Sequence, residues 1–153
     1  MKASYHVMAS AAVSLSFEAF VHSWPATAIC FLSGVLIDVD HYLEYFIIKK
    51  KFPYRYQDLV NFCHYSKTDK VYLIFHAYEL LLLLWLAIYF FHLNVFVLGL
   101  AVGVTTHIIF DQFTNPIKPL FYFLSYRFAN YFVKSKMLSK SYFEKNNTDV
   151  EEV

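Results

Sequence analysis

The residues of this chain that could do chemistry fall into four small groups: His6; Asp38, Asp40 and His41; His76 and Glu79; and His107 and Asp111. Imidazole mixed with carboxylate is the donor set of a borderline divalent cation. Zinc is the first expectation, with manganese or iron as alternatives, because a dedicated magnesium or calcium site would use oxygen donors almost alone. A cation so held activates water near neutral pH, and a pair ~3.5–4 Å apart is the usual arrangement for phosphoester hydrolysis, so one or two ions are expected. Glu79 and Asp40 are the candidate catalytic carboxylates, free to accept or deliver the proton.

Spacing says which of these groups can act together. His107 and Asp111 are four apart, so on a helix they share a face, and Gly99 and Gly103 precede them on nearly the same stripe. A GxxxG stripe lets a neighbouring helix approach closely, which would turn both donors into a bundle. The plainer alternative is a hydrogen-bonded His–Asp pair without metal. Asp38 and His41 share a face if their helix continues, whereas Asp40 points elsewhere unless the helix end frays. For Asp40 and Glu44 the competing reading is a helix end leaving an apolar phase. His76 and Glu79, three apart, precede an uninterrupted leucine run, with a buried ion pair as their alternative.

The elements that must position these residues are apolar helices. The chain has 153 residues, 58% hydrophobic and 21% aromatic, with a mean hydropathy of +0.41, outside the usual range for a soluble domain. Four stretches, 5–21, 25–43, 71–91 and 94–113, approach the ~20 residues needed to cross a bilayer. The expected fold is therefore all-α: a polytopic membrane protein with a four-helix transmembrane bundle, residues 1–133 forming a single embedded domain. Pro25 fits the first turn of the second span. Residues 120–133, too short for a fifth span and containing Arg127, are expected to form an interfacial helix, with Phe121, Tyr122, Phe123, Tyr126, Phe128, Tyr131 and Phe132 at headgroup level. Residues 134–153 read as a polar flexible tail.

Charge gives the orientation. In this arrangement all 13 Lys and Arg residues fall on one side, which predicts that both termini and the long 44–70 connection are cytoplasmic. The four groups of donors then meet at the cytoplasmic ends of the four spans. Net charge is only +1, so no nucleic-acid partner is expected; membrane lipids and a small-molecule or lipid substrate are.

Other polar residues have simpler readings. His22 and His92 look like loop residues at the outer interface, His64 like a solvated loop histidine, and Cys30 and Cys63 lack the spacing of a thiolate metal site. Glu18 is the one outer-half acid without a role in this scheme. The N-terminal stretch, holding His6 and Glu18 and lacking a small-x-small site, is expected to be a retained span rather than a cleaved leader. No GxSxG, P-loop, GxGxxG or catalytic Cys/His pair is present, so covalent-nucleophile and nucleotide chemistries lack support.

Taken together, His6, the run Gly34-Val-Leu-Ile-Asp38-Val-Asp40-His41, the histidine opening the third span, and His107-xxx-Asp111-xx-Thr114 resemble the membrane-bound metal-dependent hydrolases of bacterial inner membranes. The resemblance covers about residues 5–116 and implies metal roles for His6, Asp38, Asp40, His41, His76, His107 and Asp111. That family is in turn distantly similar to zinc-dependent phospholipases C, which implies a lipid or membrane-proximal ester, and a phosphoester in particular. At His76 the sequence departs from the pattern: Ala77-Tyr78-Glu79 follows in place of a small polar residue. Two other classes compete, a non-enzymatic membrane protein with a structural or regulatory metal or ion-pair site, and an ion transporter. The second would need a polar path across the bilayer, for which Glu18 is the only outer-half candidate.

Overall fold

The structure is a computed structural model that describes residues 3–65, 70–115 and 117–138. Of the expected 134–153 tail, Lys134–Met137 is helical and Met137 and Leu138 are buried, while the part beyond 138, like Lys2, Lys67 and Pro116, lies outside the described residues. The elements are helices α1 (Ala3–Val21), α2 (Trp24–Leu36), α3 (Val39–Lys49), α4 (Tyr56–Tyr65), α5 (Tyr78–Phe91), α6 (Val95–Thr114), α7 (Leu124–Ala129) and α8 (Lys134–Met137). Among the described residues there is no strand, only the isolated bridges Lys70–Val133 and Ile117–Leu138. The chain forms two compact units, Met1–Asp38 with Phe75–Asn115, and Val39–Ile74 with Pro116–Val153.

The first unit packs α1, α2, α5 and α6, with α2 against α6 as its principal contact. All three glycines of the chain lie at this packing. A Cβ on Gly99 would stand 2.5 Å from the Ala26 carbonyl oxygen, and one on Gly103 would overlap the Cys30 carbonyl and the Ser33 hydroxyl. Only glycine lets the two backbones come this close, and Ser33 Oγ then donates across the crossing to the Leu100 carbonyl at 3.2 Å. At the third glycine, Gly34, the neighbour is Ser10 Oγ on α1, 2.6 Å from where a Cβ would be. Phe17, Ala26 and Cys30 are buried beyond the glycines, with Val95, Leu98 and Val102 packed on them. Helix α5 joins α6 through Trp85 Nε1, which donates to Thr105 Oγ1 at 3.0 Å.

Turn chemistry ends these helices. His22 (φ 52) and His92 (φ 48) both take the left-handed conformation after α1 and α5, so the two predicted loop histidines are helix terminators. Asn94 caps α6, its Oδ1 accepting from the amides of Phe96 and Val97. Glu18, unexplained at the level of sequence, ties the α1–α2 turn: its Oε2 accepts from the Ser23 amide at 3.1 Å and from the Thr27 hydroxyl.

The second unit is organised around a non-helical segment, 70–74. Its polar backbone atoms are satisfied by side chains instead. Glu44 Oε1 accepts from the Tyr72 amide at 2.7 Å and Asp40 Oδ1 from the Ile74 amide at 3.1 Å. Arg127, 0% exposed, donates through its Nη1 to the carbonyls of Tyr72 (3.0 Å) and Leu73. The Val71 amide donates to the Phe132 carbonyl at 2.9 Å. Buried backbone groups are nearly always paired, and here three ionisable side chains take the place of a helix or sheet partner. Tyr45, Leu59 and Phe62 make a small apolar cluster between α3 and α4. His64 is within α4 rather than a loop.

Three expectations about elements are corrected. The span at 71–91 is helical only over the 14 residues of α5, ~21 Å at 1.5 Å per residue, because 71–77 is extended or irregular and Ala77 stands at φ −130°. The helix at 120–133 contracts to the six residues of α7. Tyr131 and Phe132 go to positive φ (55° and 59°) and end it, and Phe121 and Tyr122 are buried. Finally, the second apolar helix breaks at a turn over Ile37 and Asp38 before α3 begins. Two helical stretches, Trp24–Lys49 (26 residues, including that turn) and Val95–Thr114 (20 residues), are long and apolar enough to cross a membrane.

Candidate metal centre

Five side chains of the first unit converge: His6 from α1, Asp38 from the turn after α2, His76 from the segment before α5, and His107 with Asp111 from α6. His107 is central. Its Nδ1–H donates to the Gly34 carbonyl at 2.7 Å, which fixes the ring and directs Nε2 into the cluster. Nε2 stands 3.4 Å from His76 Nε2, 3.3 Å from Asp38 Oδ1 and 3.6 Å from Asp111 Oδ2. His76 Nε2 is in turn 3.8 Å from Asp38 Oδ1 and 3.9 Å from Asp111 Oδ2. His6 stacks on His107, centroids 4.1 Å apart, and its Nε2 is 3.0 Å from Asp111 Oδ1.

These separations can be compared with what a cation requires. Four donors held ~2.0–2.2 Å from one ion in a tetrahedron stand about 3.3–3.6 Å apart. The contacts around His107 Nε2 lie in that range, and the two sets His6, His107, Asp111 and Asp38, His76, His107 each have their donor atoms within 4.8 Å of one another. Both sets share His107, whose other ring nitrogen is committed to Gly34. One Nε2 serves one ion, so the arrangement fits a single cation better than two. With neutral imidazoles the two carboxylates, Asp111 buried and Asp38 partly exposed, bring −2 to the cluster, the charge a divalent cation neutralises. Buried charge needs such compensation.

Burial is uneven. His6, His76, His107 and Asp111 are buried, whereas the Asp38 side chain is 40% exposed. The cluster is thus closed around His6, His76, His107 and Asp111 and open at Asp38. Tyr78, whose hydroxyl donates to Gln112 Oε1 at 3.3 Å, braces α5 on α6 beside the cluster.

Of the seven expected ligands, five meet here, while Asp40 and His41 do not belong to either donor set among the described residues. A turn over Ile37 and Asp38 lies between α2 and α3, the helix that carries Asp40 and His41. Asp40, 1% exposed, accepts the Ile74 amide, and His41 Nδ1 lies 3.7 Å from Glu44 Oε2 within α3. Asp40 thus holds backbone through Oδ1. Glu79, the other expected base, sits half-buried in the first turn of α5 outside both donor sets, and His76, preceding that helix, does not share a helical face with it. One contributor was missed from sequence, the Gly34 carbonyl, although Gly34 precedes Asp38 by one helical turn.

Compared with protein-family models, curated proteins and solved structures, the chain matches none.

Proposed function

We propose that this chain is a membrane-embedded, metal-dependent hydrolase that holds one divalent cation, zinc by preference, and acts on a lipid or membrane-proximal ester such as a phosphoester. The observation that carries this reading is the convergence of three imidazoles and two carboxylates on a small volume, with His107 held in the ligating tautomer by Gly34. A divalent cation in the cluster supplies Lewis-acid activation of water and of the ester oxygen. The chain's residues do the rest. Gly34 fixes His107, as an outer partner orients a ligating histidine. His6 engages Asp111 Oδ1 and leaves Oδ2 toward His76 and His107. Asp38 stands at the open side, where substrate enters and where an exposed carboxylate can exchange protons with water.

The bilayer reading rests on outward apolar surface. Only 33% of each long apolar window is buried inside the chain, and α5, an almost wholly apolar helix, has no buried residue at all. A core helix of a soluble domain would show the reverse, and contiguous exposed apolar surface of this extent calls for lipid. The proposal keeps four embedded segments with the Lys and Arg residues, and both termini, on the cytoplasmic side of a bacterial inner membrane. The short third helix implies that 71–77 enters as non-helical chain with its backbone satisfied by protein.

The test is hydrolysis by the full-length chain in lipid nanodiscs, assayed on phosphodiester, phosphomonoester and carboxylic-ester lipids. Activity lost to a chelator, restored by zinc and absent from Asp111→Asn supports the reading. A metal-loaded chain inert on all three classes favours a structural or regulatory metal site.

A further inference from the structure

We propose that the turn at 49–55 binds the headgroups of anionic phospholipids at the membrane surface, an inference that rests on the bilayer reading above. Lys49, Lys50, Lys51 and Arg55 are all exposed within seven residues. Helix α3 ends here because Lys50 adopts φ 57°, its amide donating to the Phe46 carbonyl at 2.8 Å. Lys49 is accounted for inside the unit: it lies in the last turn of α3, where a cation complements the helix dipole, and its Nζ stands 6.0 Å over the Phe62 ring. Lys50, Lys51 and Arg55 have no such role, and their side chains make no ion pair among the described residues. The acid of the same stretch, Asp58, is turned to the backbone, its Oδ2 accepting from the Arg55 amide at 3.0 Å.

Exposed rings are interleaved with these cations. Phe52 stacks on Phe46 at 4.8 Å, yet both remain exposed, and Tyr54 is 98% exposed. A solvated basic loop accounts for the lysines but not for Phe46, Ile47, Phe52 and Tyr54 standing bare beside them. An anionic bilayer surface takes both: phosphates meet the cations and the rings sit at headgroup depth. Cations with exposed rings also suit single-stranded nucleic acid. The exposed apolar residues of α3 that lead into the turn, Leu43, Phe46 and Ile47, favour lipid.

The experiment is electron paramagnetic resonance of spin-labelled phosphatidylglycerol and phosphatidylcholine in proteoliposomes of the full-length chain. The native chain should restrict phosphatidylglycerol preferentially, each cation contributing up to roughly fivefold at low salt. The preference should fall toward parity in Lys50→Gln/Lys51→Gln/Arg55→Gln and persist in the control Lys134→Gln/Lys136→Gln. Parity in the native chain, an unchanged preference in the triple variant, or an equal loss in the control would overturn the inference. So would oligonucleotide binding that the triple variant alone loses while lipid preference stays at parity. Absence of restricted lipid of either kind would remove the bilayer reading and this inference with it, whereas restricted lipid without headgroup preference removes this inference alone.

Discussion

The Nδ1–H of His107 donates to the carbonyl of Gly34 at 2.7 Å, across the crossing of α6 on α2. That bond can form only because the two helices touch, and they touch because Gly99 and Gly103 present no side chain to Ala26, Cys30 and Ser33. Packing and site geometry are therefore one feature: the glycines that bring the helices together also set the ring at the centre of the His/Asp cluster.

Gly103→Ala tests this coupling. The added methyl would overlap the Cys30 carbonyl and Ser33 hydroxyl, which are backbone and a bonded side chain rather than flexible tips. Overpacking of this kind costs about 1–3 kcal/mol, so thermal unfolding in detergent should fall measurably, and metal affinity should weaken with it as His107 shifts from Gly34. Leu100→Ala, an exposed position one residue from Gly99, should change metal affinity little.

Asp111→Asn keeps the shape of the side chain and removes its charge. His6 loses its 3.0 Å carboxylate partner and the cluster falls from −2 to −1. Metal affinity measured by competition with a chromogenic chelator should drop by more than the about 10–100-fold typical of losing an outer-shell partner, with the chain still folded by circular dichroism.

Arg127→Met addresses the second unit. Removing the guanidinium leaves the Tyr72 and Leu73 carbonyls without their donor. Leaving a buried acceptor unsatisfied costs about 1–3 kcal/mol. Hydrogen exchange should show the amides of Tyr72 and Ile74 losing protection first. Arg127→Lys should recover only part, because an ammonium does not reproduce the guanidinium fork.

Glu18→Gln separates the hydrolase from a transporter. Glutamine still offers an oxygen to the Ser23 amide and the Thr27 hydroxyl, so stability and hydrolysis should stay close to native. Glu18→Ala should cost about 1 kcal/mol, as losing a helix-cap acceptor does. Ion flux in proteoliposomes that Glu18→Gln abolishes would favour the transport reading.

The site was legible where helical spacing holds. His107 and Asp111 lie four apart on an unbroken helix behind a glycine stripe, and both are buried as that pattern requires. The all-helical class was legible too, from hydropathy alone. What escaped was where apolar chain stops being helical. Nothing in Val71 to Ile74 announces a non-helical path, because its backbone is held by side chains remote in sequence: Asp40, Glu44 and Arg127. A buried acid that holds an amide, as Asp40 does, looks in sequence like one that could hold a metal. The break at Ile37 and Asp38 was equally silent, having no glycine or proline to mark it.

The central claim is that His6, Asp38, His76, His107 and Asp111 hold one divalent cation, and elemental analysis of the purified full-length chain tests it most directly. About one zinc, manganese or iron per chain in the native protein, falling to background in His107→Ala and Asp111→Ala but retained in Asp40→Asn, is the expected result. A folded native chain carrying no stoichiometric metal after reconstitution with each ion, or a metal content that Asp40→Asn abolishes and His107→Ala preserves, would contradict it.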